Sequence, residues 1–275
     1  MGWKAIARSA VGTSHQEQKI PCQDCGNYRI FNDVIVGAVS DGAGSAKYSH
    51  FGSELAVKTA LKYLSRISEY LQKRKGFWQR FSQPLSQIEA KKLFTKTVNQ
   101  VIAELNKQAT NKGYSVNDLA CTLLVFIATP KWVAAMQIGD GFMVVRFQDA
   151  EYQLLFEPDK GEFFNETTFV TSANALEEMQ VQVISGKQEF ICASTDGLEK
   201  VAIRLSDWKP FPPFFKPLEE YLRETSKPEY DDQYVIDFLN SDRLNSRTDD
   251  DKTLLLCLLR YDAIDGNKTV GWVEE

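Results

Sequence analysis

Four aspartates stand at sharp turns beside strand-like runs: Asp41 before Gly42, Asp140 between Gly139 and Gly141, Asp196 before Gly197, and Asp250 paired with Asp251. The mostly apolar segment 34–39 leads straight to Asp41, 189–193 leads to Asp196, and 253–259 follows the acidic pair. A glycine-rich turn lets the main chain bend and approach a ligand, while the packed strand behind it holds the carboxylate in place. Carboxylates far apart in sequence can meet at one edge of a sheet core in this way. Brought together unpartnered, they would repel and resist ionisation. Divalent cations relieve the repulsion by taking the oxygens as ligands. Two such ions side by side can lower the pKa of a shared water and stabilise the charge on a transferring phosphoryl group. Read singly, each aspartate is a turn residue and 249–251 a solvated acidic run. One design recurring at four strand ends favours the cation site.

The remaining ligand types narrow the choice of ion. His15 and His50 are the only histidines. Cys121, Cys192 and Cys257 lie in apolar runs, where a thiol behaves as a small hydrophobe. Cys22 and Cys25 form a single C-x-x-C, half of a zinc site with nothing to complete it. Oxygen ligands therefore point to Mg2+ or Mn2+.

These residues need a scaffold to position them. Residues 3–11 read as a first strand, followed after Gly12 by a polar loop that carries His15 and Lys19. Residues 28–31 and 34–39 form a hairpin about Asn32-Asp33. Apolar side chains recur at three- and four-residue steps from Leu55 to Leu71, and again through Phe94, Val98, Val101, Ile102 and Leu105. They predict two amphipathic helices, the second opened by a Ser86/Glu89 capping box and ending near Gly113. The basic and aromatic run 73–80 reads as a solvated helix end and loop. Strands are predicted at 122–128, 132–138, 142–147 and 152–156, then a polar surface excursion over 157–178. Residues 208–217, rich in proline and aromatics, are expected to be irregular and packed against the body. Short helices are expected at 218–224 and 231–239. With no internal repeat and no clear linker, residues 1–275 read as one α+β domain.

Composition excludes other classes. A net charge of −5 argues against a surface built for nucleic acid. No apolar run approaches the ~20 residues needed to cross a bilayer. The first residues lack the apolar core of a secretory signal, so a cytoplasmic location is expected.

Taken in order, the motifs resemble those of the metal-dependent Ser/Thr protein phosphatases of type 2C. Gln23-Asp24 resembles the first acidic motif, and Ser40-Asp41-Gly42-Ala43-Gly44 the second, with Gly52 and Ala56 in the helix that follows. Ala120-Cys121-Thr122 resembles the Gly-Ser-Thr strand start, and Gly139-Asp140-Gly141 the Gly-Asp-Ser turn. Ser194-Thr195-Asp196-Gly197 is similar to the Ser-Asp-Gly motif, and Asp250-Asp251-Lys252-Thr253 to the closing one. The resemblance implies a four-layer αββα sandwich, two antiparallel sheets flanked by helices, with two Mn2+ or Mg2+ ions at one end. It implies that Asp41 bridges the ions, that the Gly42 carbonyl binds one, and that Asp196 and Asp250 ligate the other. Asp24 would hold water around the ions, and Lys19 stands where the family often has a phosphate-binding arginine. The implied reaction is hydrolysis of phosphoserine or phosphothreonine in proteins by metal-activated water, without a covalent intermediate. A cognate Ser/Thr kinase is the implied signalling partner.

The chain also departs from the pattern. Gln23 replaces the usual Glu, and Ala43 stands where some members have a histidine, so that candidate general acid is absent. His15 is a nearer substitute than His50, though both read as surface or capping residues. Lys200, beside Glu199, occupies a position that in many members is acidic and helps hold a third ion with the residue matched by Asp140. A third ion built in the usual way is therefore not expected, and Asp140 reads as partly structural. These departures keep two alternatives open: a scaffold or binding protein that has lost catalysis, and a hydrolase of small phosphorylated metabolites.

Overall fold

The computed structural model describes residues 2–73, 83–156, 167–228 and 232–260. Most of the basic run (74–80), the first half of the polar excursion (157–166) and residue 231 of the last predicted helix lie outside them.

The architecture is two five-stranded antiparallel sheets packed face to face. One contains β2 (Cys25–Phe31), β3 (Val34–Ser40), β4 (Leu123–Thr129), β5 (Trp132–Ile138) and β8 (Gln180–Ser185), in that spatial order. In the other, β1 (Gly2–Ala10) pairs with β12 (Lys252–Arg260), followed by β9 (Gln188–Ser194), β6 (Phe142–Phe147) and the short β7 (Gln153–Leu154). Strands β3, β4 and β5 are buried along their whole length, so they read as continuous apolar runs rather than alternating ones. Alternate residues point to opposite faces of a sheet. Ile35, Val39, Phe126 and Val133 meet Ala5, Val145, Ile191 and Leu255 between the sheets. Val34, Val36, Val125 and Met136 face helices α2 (Ser49–Lys73) and α3 (Gln87–Lys112). On the far side, Ile6, Val144, Cys192 and Leu256 pack under α5 (Pro212–Glu224) and α6 (Gln233–Leu239). The four layers are those expected of an αββα sandwich.

Local signals are realised where they were strong. Asn32 adopts φ 54° in the hairpin that pairs Phe31 with Val34. The capping box forms in both directions between Ser86 and Glu89, and Gly113 closes α3 at φ 70°.

Three expectations need correction. The polar loop after Gly12 contains a helical turn, α1 (Thr13–Gln18), with none of its residues buried and hence no apolar stripe to announce it. Strand β8 was not anticipated: it is an edge strand of mixed Gln and Val, identified by its ladder with β5. The proline-rich segment is helical from residue 212. Pro212 and Pro213 occupy the first turn, where a missing amide costs nothing, and the helix tolerates Pro217 within it. Packing favours this outcome: Phe214, Phe215, Leu218 and Leu222 are buried against β12 and its neighbours. Buried Glu219 accepts from Arg146 Nε at 3.0 Å and from the Tyr152 hydroxyl at 2.7 Å. The expectation that these aromatics pack against the body holds.

A short helix α4 (Glu199–Ala202), a two-stranded ribbon of β10 (Ile203–Arg204) and β11 (Lys209–Pro210), α7 (Asp242–Asn245), and 3-10 turns at Val116–Leu119 and Asp196–Leu198 complete the described elements.

Candidate metal centre

Ladder register brings the acidic turns to one end of the sandwich. Val39 pairs with Leu124 and Leu123 with Ile138, so the end of β3, the start of β4 and the end of β5 are level. In the other sheet Phe142 pairs with Ser194, and Ser194 with Leu254. Asp41 leaves β3 and Asp196 leaves β9 at this end. Asp140 lies on the link that carries the chain from one sheet to the other, after Gly139 at φ 102°.

The result is a triad. One carboxylate oxygen from each of Asp41, Asp140 and Asp196 lies within 4.8 Å of the others. The Asp41 main chain is held from both sides, its amide donating to Thr122 Oγ1 at 2.9 Å and its carbonyl accepting the Thr122 amide at 2.8 Å. The Ala120-Cys121-Thr122 motif is thus the brace for Asp41. Gly42 is tied to the first acidic motif by donating its amide to the Gln23 carbonyl at 3.1 Å.

Asp24 is buried, and its Oδ2 accepts the Thr195 hydroxyl at 2.6 Å. Asp24 and Asp41 lie close enough to interact through their side chains, which favours the charged form of Asp24 and the neutral form of Asp41. Burial is the first cause lifting Asp41 far above the usual carboxylate range, reinforced by the charges of Asp24, Asp196 and Asp250. Asp24 is raised by burial against the lowering pull of the Thr195 hydrogen bond. Burial, then the charges of Asp140, Asp250 and Asp24, pushes Asp196 up to about 8. A bound cation would favour the charged form of carboxylates held in this way.

The two neighbouring aspartates of the closing motif divide their roles. Asp250 stands outside the triad but within electrostatic reach of Asp24, Asp41 and Asp196, raising all three. Asp251 is 2% exposed and works as a fastener. Its Oδ1 accepts the Gly12 amide at 2.7 Å and its Oδ2 the Gln23 amide at 2.5 Å. His15 Nδ1 lies 3.0 Å from Asp251 Oδ2, off the line of a hydrogen bond, so His15 is part of this corner rather than a free surface residue. Lys19 is exposed at the end of α1 with φ 55°. Lys200 is exposed, whereas Glu199 is half-buried and raised first by burial and then by the charge of Asp140.

The sequence motifs include Asp251, Thr122, Thr195 and the fully buried Lys252 but assign none of them a role of its own; Lys252 Nζ donates to Asn245 Oδ1 at 2.8 Å. For Thr122 and Thr195 the signal was their place inside the acidic motifs. For Asp251 none was available, because adjacent aspartates look alike until one is seen to face inward.

The donor set fits hard divalent cations. It consists of carboxylate oxygens, and Asp140 Oδ1 is buried without a hydrogen-bond partner among the described residues.

Fold and site together define a metal-dependent phosphatase of the αββα class. The family described as protein phosphatase 2C matches residues 11–240. Serine/threonine-protein phosphatase 3 of Escherichia coli strain K12 is 34% identical over 265 residues, covering 94% of this chain and 99% of that protein. The chain belongs to the protein phosphatase 2C family, a group of Ser/Thr protein phosphatases that use Mn2+ or Mg2+. The S. agalactiae serine/threonine phosphatase shares the fold at a TM-score of 0.60 and 15% identity, covering 94% of this chain and all of that one. The catalytic domain of the phosphatase PstP, solved with two manganese ions, matches at a TM-score of 0.57 and 15% identity, over 94% and 98% of the two chains.

Proposed function

We propose that this chain hydrolyses phosphoserine and phosphothreonine in protein substrates at the end of the sandwich where Asp41, Asp140 and Asp196 meet. The convergence of three carboxylate oxygens within 4.8 Å carries the reading. Asp41 and Asp196, with the Gly42 carbonyl and Asp250, would hold two Mn2+ or Mg2+ ions, and Asp140 would add a ligand on the same side. When bound, such ions lower the pKa of water and offset the charge on the phosphoryl group.

The protein's own groups supply position. Thr122 fixes the Asp41 main chain, Thr195 fixes Asp24, and Asp251 holds the Gly12 and Gln23 corner against the site. Asp24 would orient water beside the cations. Lys19 would attract phosphate as a point charge, without the two-pronged grip of arginine.

Residues 1–275 would act as one catalytic unit, since β12 lies beyond the matched region yet sits between β1 and β9. A cytoplasmic location and a Ser/Thr kinase acting on the same substrates complete the proposal. Among the described residues, no helix is long and apolar enough to cross a membrane.

The test is Mn2+-dependent phosphate release from a phosphothreonine peptide, beside an aryl phosphate and a panel of phosphorylated metabolites. Peptide activity abolished by chelation, by Asp41→Ala and by Asp196→Ala is the expected result. Activity that survives any of these overturns the mechanism, and preference for a free metabolite overturns the substrate class.

A further inference from the structure

Residues 167–170 dock directly onto the acidic centre. Thr167 Oγ1 donates to Asp140 Oδ2 at 2.7 Å, while Asp140 Oδ1 is buried with no hydrogen-bond partner among the described residues. One oxygen of the carboxylate is therefore held and the other is without a partner among the described residues, in a group that offers an oxygen within 4.8 Å of one from Asp41 and one from Asp196. Phe169 packs against Ala43, Ala46 and Ala120, the small side chains around the Asp41-Gly42 turn. Val170 is fully buried and its amide donates to the Cys121 carbonyl at 2.8 Å. A single short segment thus touches two of the three turns that deliver the triad, those of Asp41 and Asp140.

We propose that Thr167 is a positioning residue for the cation site, and that docking of residues 167–170 is coupled to cation binding at Asp41, Asp140 and Asp196. The inference rests on the phosphatase reading above. A hydrogen bond to one oxygen sets the plane of the carboxylate and so the direction of its second oxygen. Without a cation, that second oxygen is desolvated and unpaired, which disfavours the docked arrangement. A cation reverses this cost. Coupling between two equilibria is reciprocal, so docking must strengthen cation binding by the factor with which the cation strengthens docking. A purely structural hydrogen bond would instead stabilise the protein equally with and without the ion.

Thr167→Val removes the donor at nearly constant shape, and Thr167→Ser retains it. Thr167 is half-buried and lies outside the hydrophobic clusters, so neither change empties the core. Calorimetric titration with Mn2+ should show roughly tenfold weaker binding in Thr167→Val, the low end for loss of a group that orients a metal ligand, with recovery in Thr167→Ser. Hydrogen exchange supplies a readout independent of catalysis: Mn2+ should slow exchange of the Val170 amide in the unmodified protein and much less in Thr167→Val. Unchanged affinity in Thr167→Val, or Val170 exchange indifferent to Mn2+, overturns the coupling and leaves the phosphatase reading standing. Failure of the unmodified protein to bind Mn2+ would remove both.

Discussion

Thr195 donates its hydroxyl to Asp24 at 2.6 Å across 171 residues of sequence. The same oxygen accepts the Thr253 amide at 3.1 Å. One small side chain therefore joins the first acidic motif, the end of β9 and the start of β12. Replacing it by valine leaves the buried Thr253 amide without its acceptor and releases Asp24. Thr195→Val should lower unfolding free energy by about 1–3 kcal/mol and reduce phosphatase activity, with Thr195→Ser close to the original. Urea denaturation of the three proteins decides the point; equal midpoints would show that the hydroxyl fastens nothing.

Adjacent aspartates should respond in different ways. Asp251→Ala strands the Gly12 and Gln23 amides, so the fold should lose about 2–4 kcal/mol whether or not Mn2+ is present. Asp250→Ala removes a charge that its acidic neighbours oppose together with the acceptor of the Asp251 amide at 2.8 Å, so the cation-free protein should lose clearly less stability than Asp251→Ala. Its Mn2+ affinity should fall. Melting with chelator and with Mn2+ separates the two, and identical behaviour of the variants would refute the division of roles.

The pH dependence follows from the raised carboxyls. Burial, the largest cause in each case, lifts Asp24, Asp41, Asp196 and Asp250 above their unfolded values. Between the unfolded and folded values the native state holds more protons than the unfolded chain, so stability falls as pH rises. For Asp196 that window runs from its ordinary value of 3.8 to about 8. Cation-free protein should therefore melt at progressively lower temperature across this range, and Mn2+ should raise the melting temperature most at the alkaline end. A chelated sample whose melting temperature climbs through the same range would contradict the site's electrostatics.

Close approach at Gly197 offers a steric test. A Cβ there would sit 1.9 Å from the Asp251 carbonyl oxygen, whereas at Gly44 it would meet nothing within 4 Å. Gly197→Ala should cost about 1–3 kcal/mol and push the Asp196 turn away from the closing motif, weakening Mn2+ binding. Gly44→Ala serves as the neutral control. Equal Mn2+ affinity in both variants would mean that the two turns need not touch.

How far the chain could be read in advance depended on whether the signal was local. Strands β3, β4, β5, β9 and β12, both long helices and the Ser86/Glu89 cap were legible because apolar periodicity and capping chemistry act over a few residues. The helix beginning at Pro212 was misread because proline was weighed as a breaker, while its fit to a first turn and the burial of Phe214 and Phe215 depend on the opposing sheet. Strand β8 escaped for a similar reason: its partner β5 lies about fifty residues earlier, and an edge strand carries only a weak pattern of its own.

The chain by itself determined the chemistry on offer: oxygen ligands at glycine-flanked strand ends, too few histidines for a nitrogen-rich site, and an ordered set of motifs resembling one phosphatase family. Tertiary structure decided which groups meet. Ladder register levels the ends of β3, β5 and β9, the turn into β12 buries Asp251 and leaves Asp250 exposed, and docking of residues 167–170 brings the Thr167 hydroxyl to Asp140. Residue type sets what an atom can bind, but pairing between strands far apart in sequence sets where that atom stands.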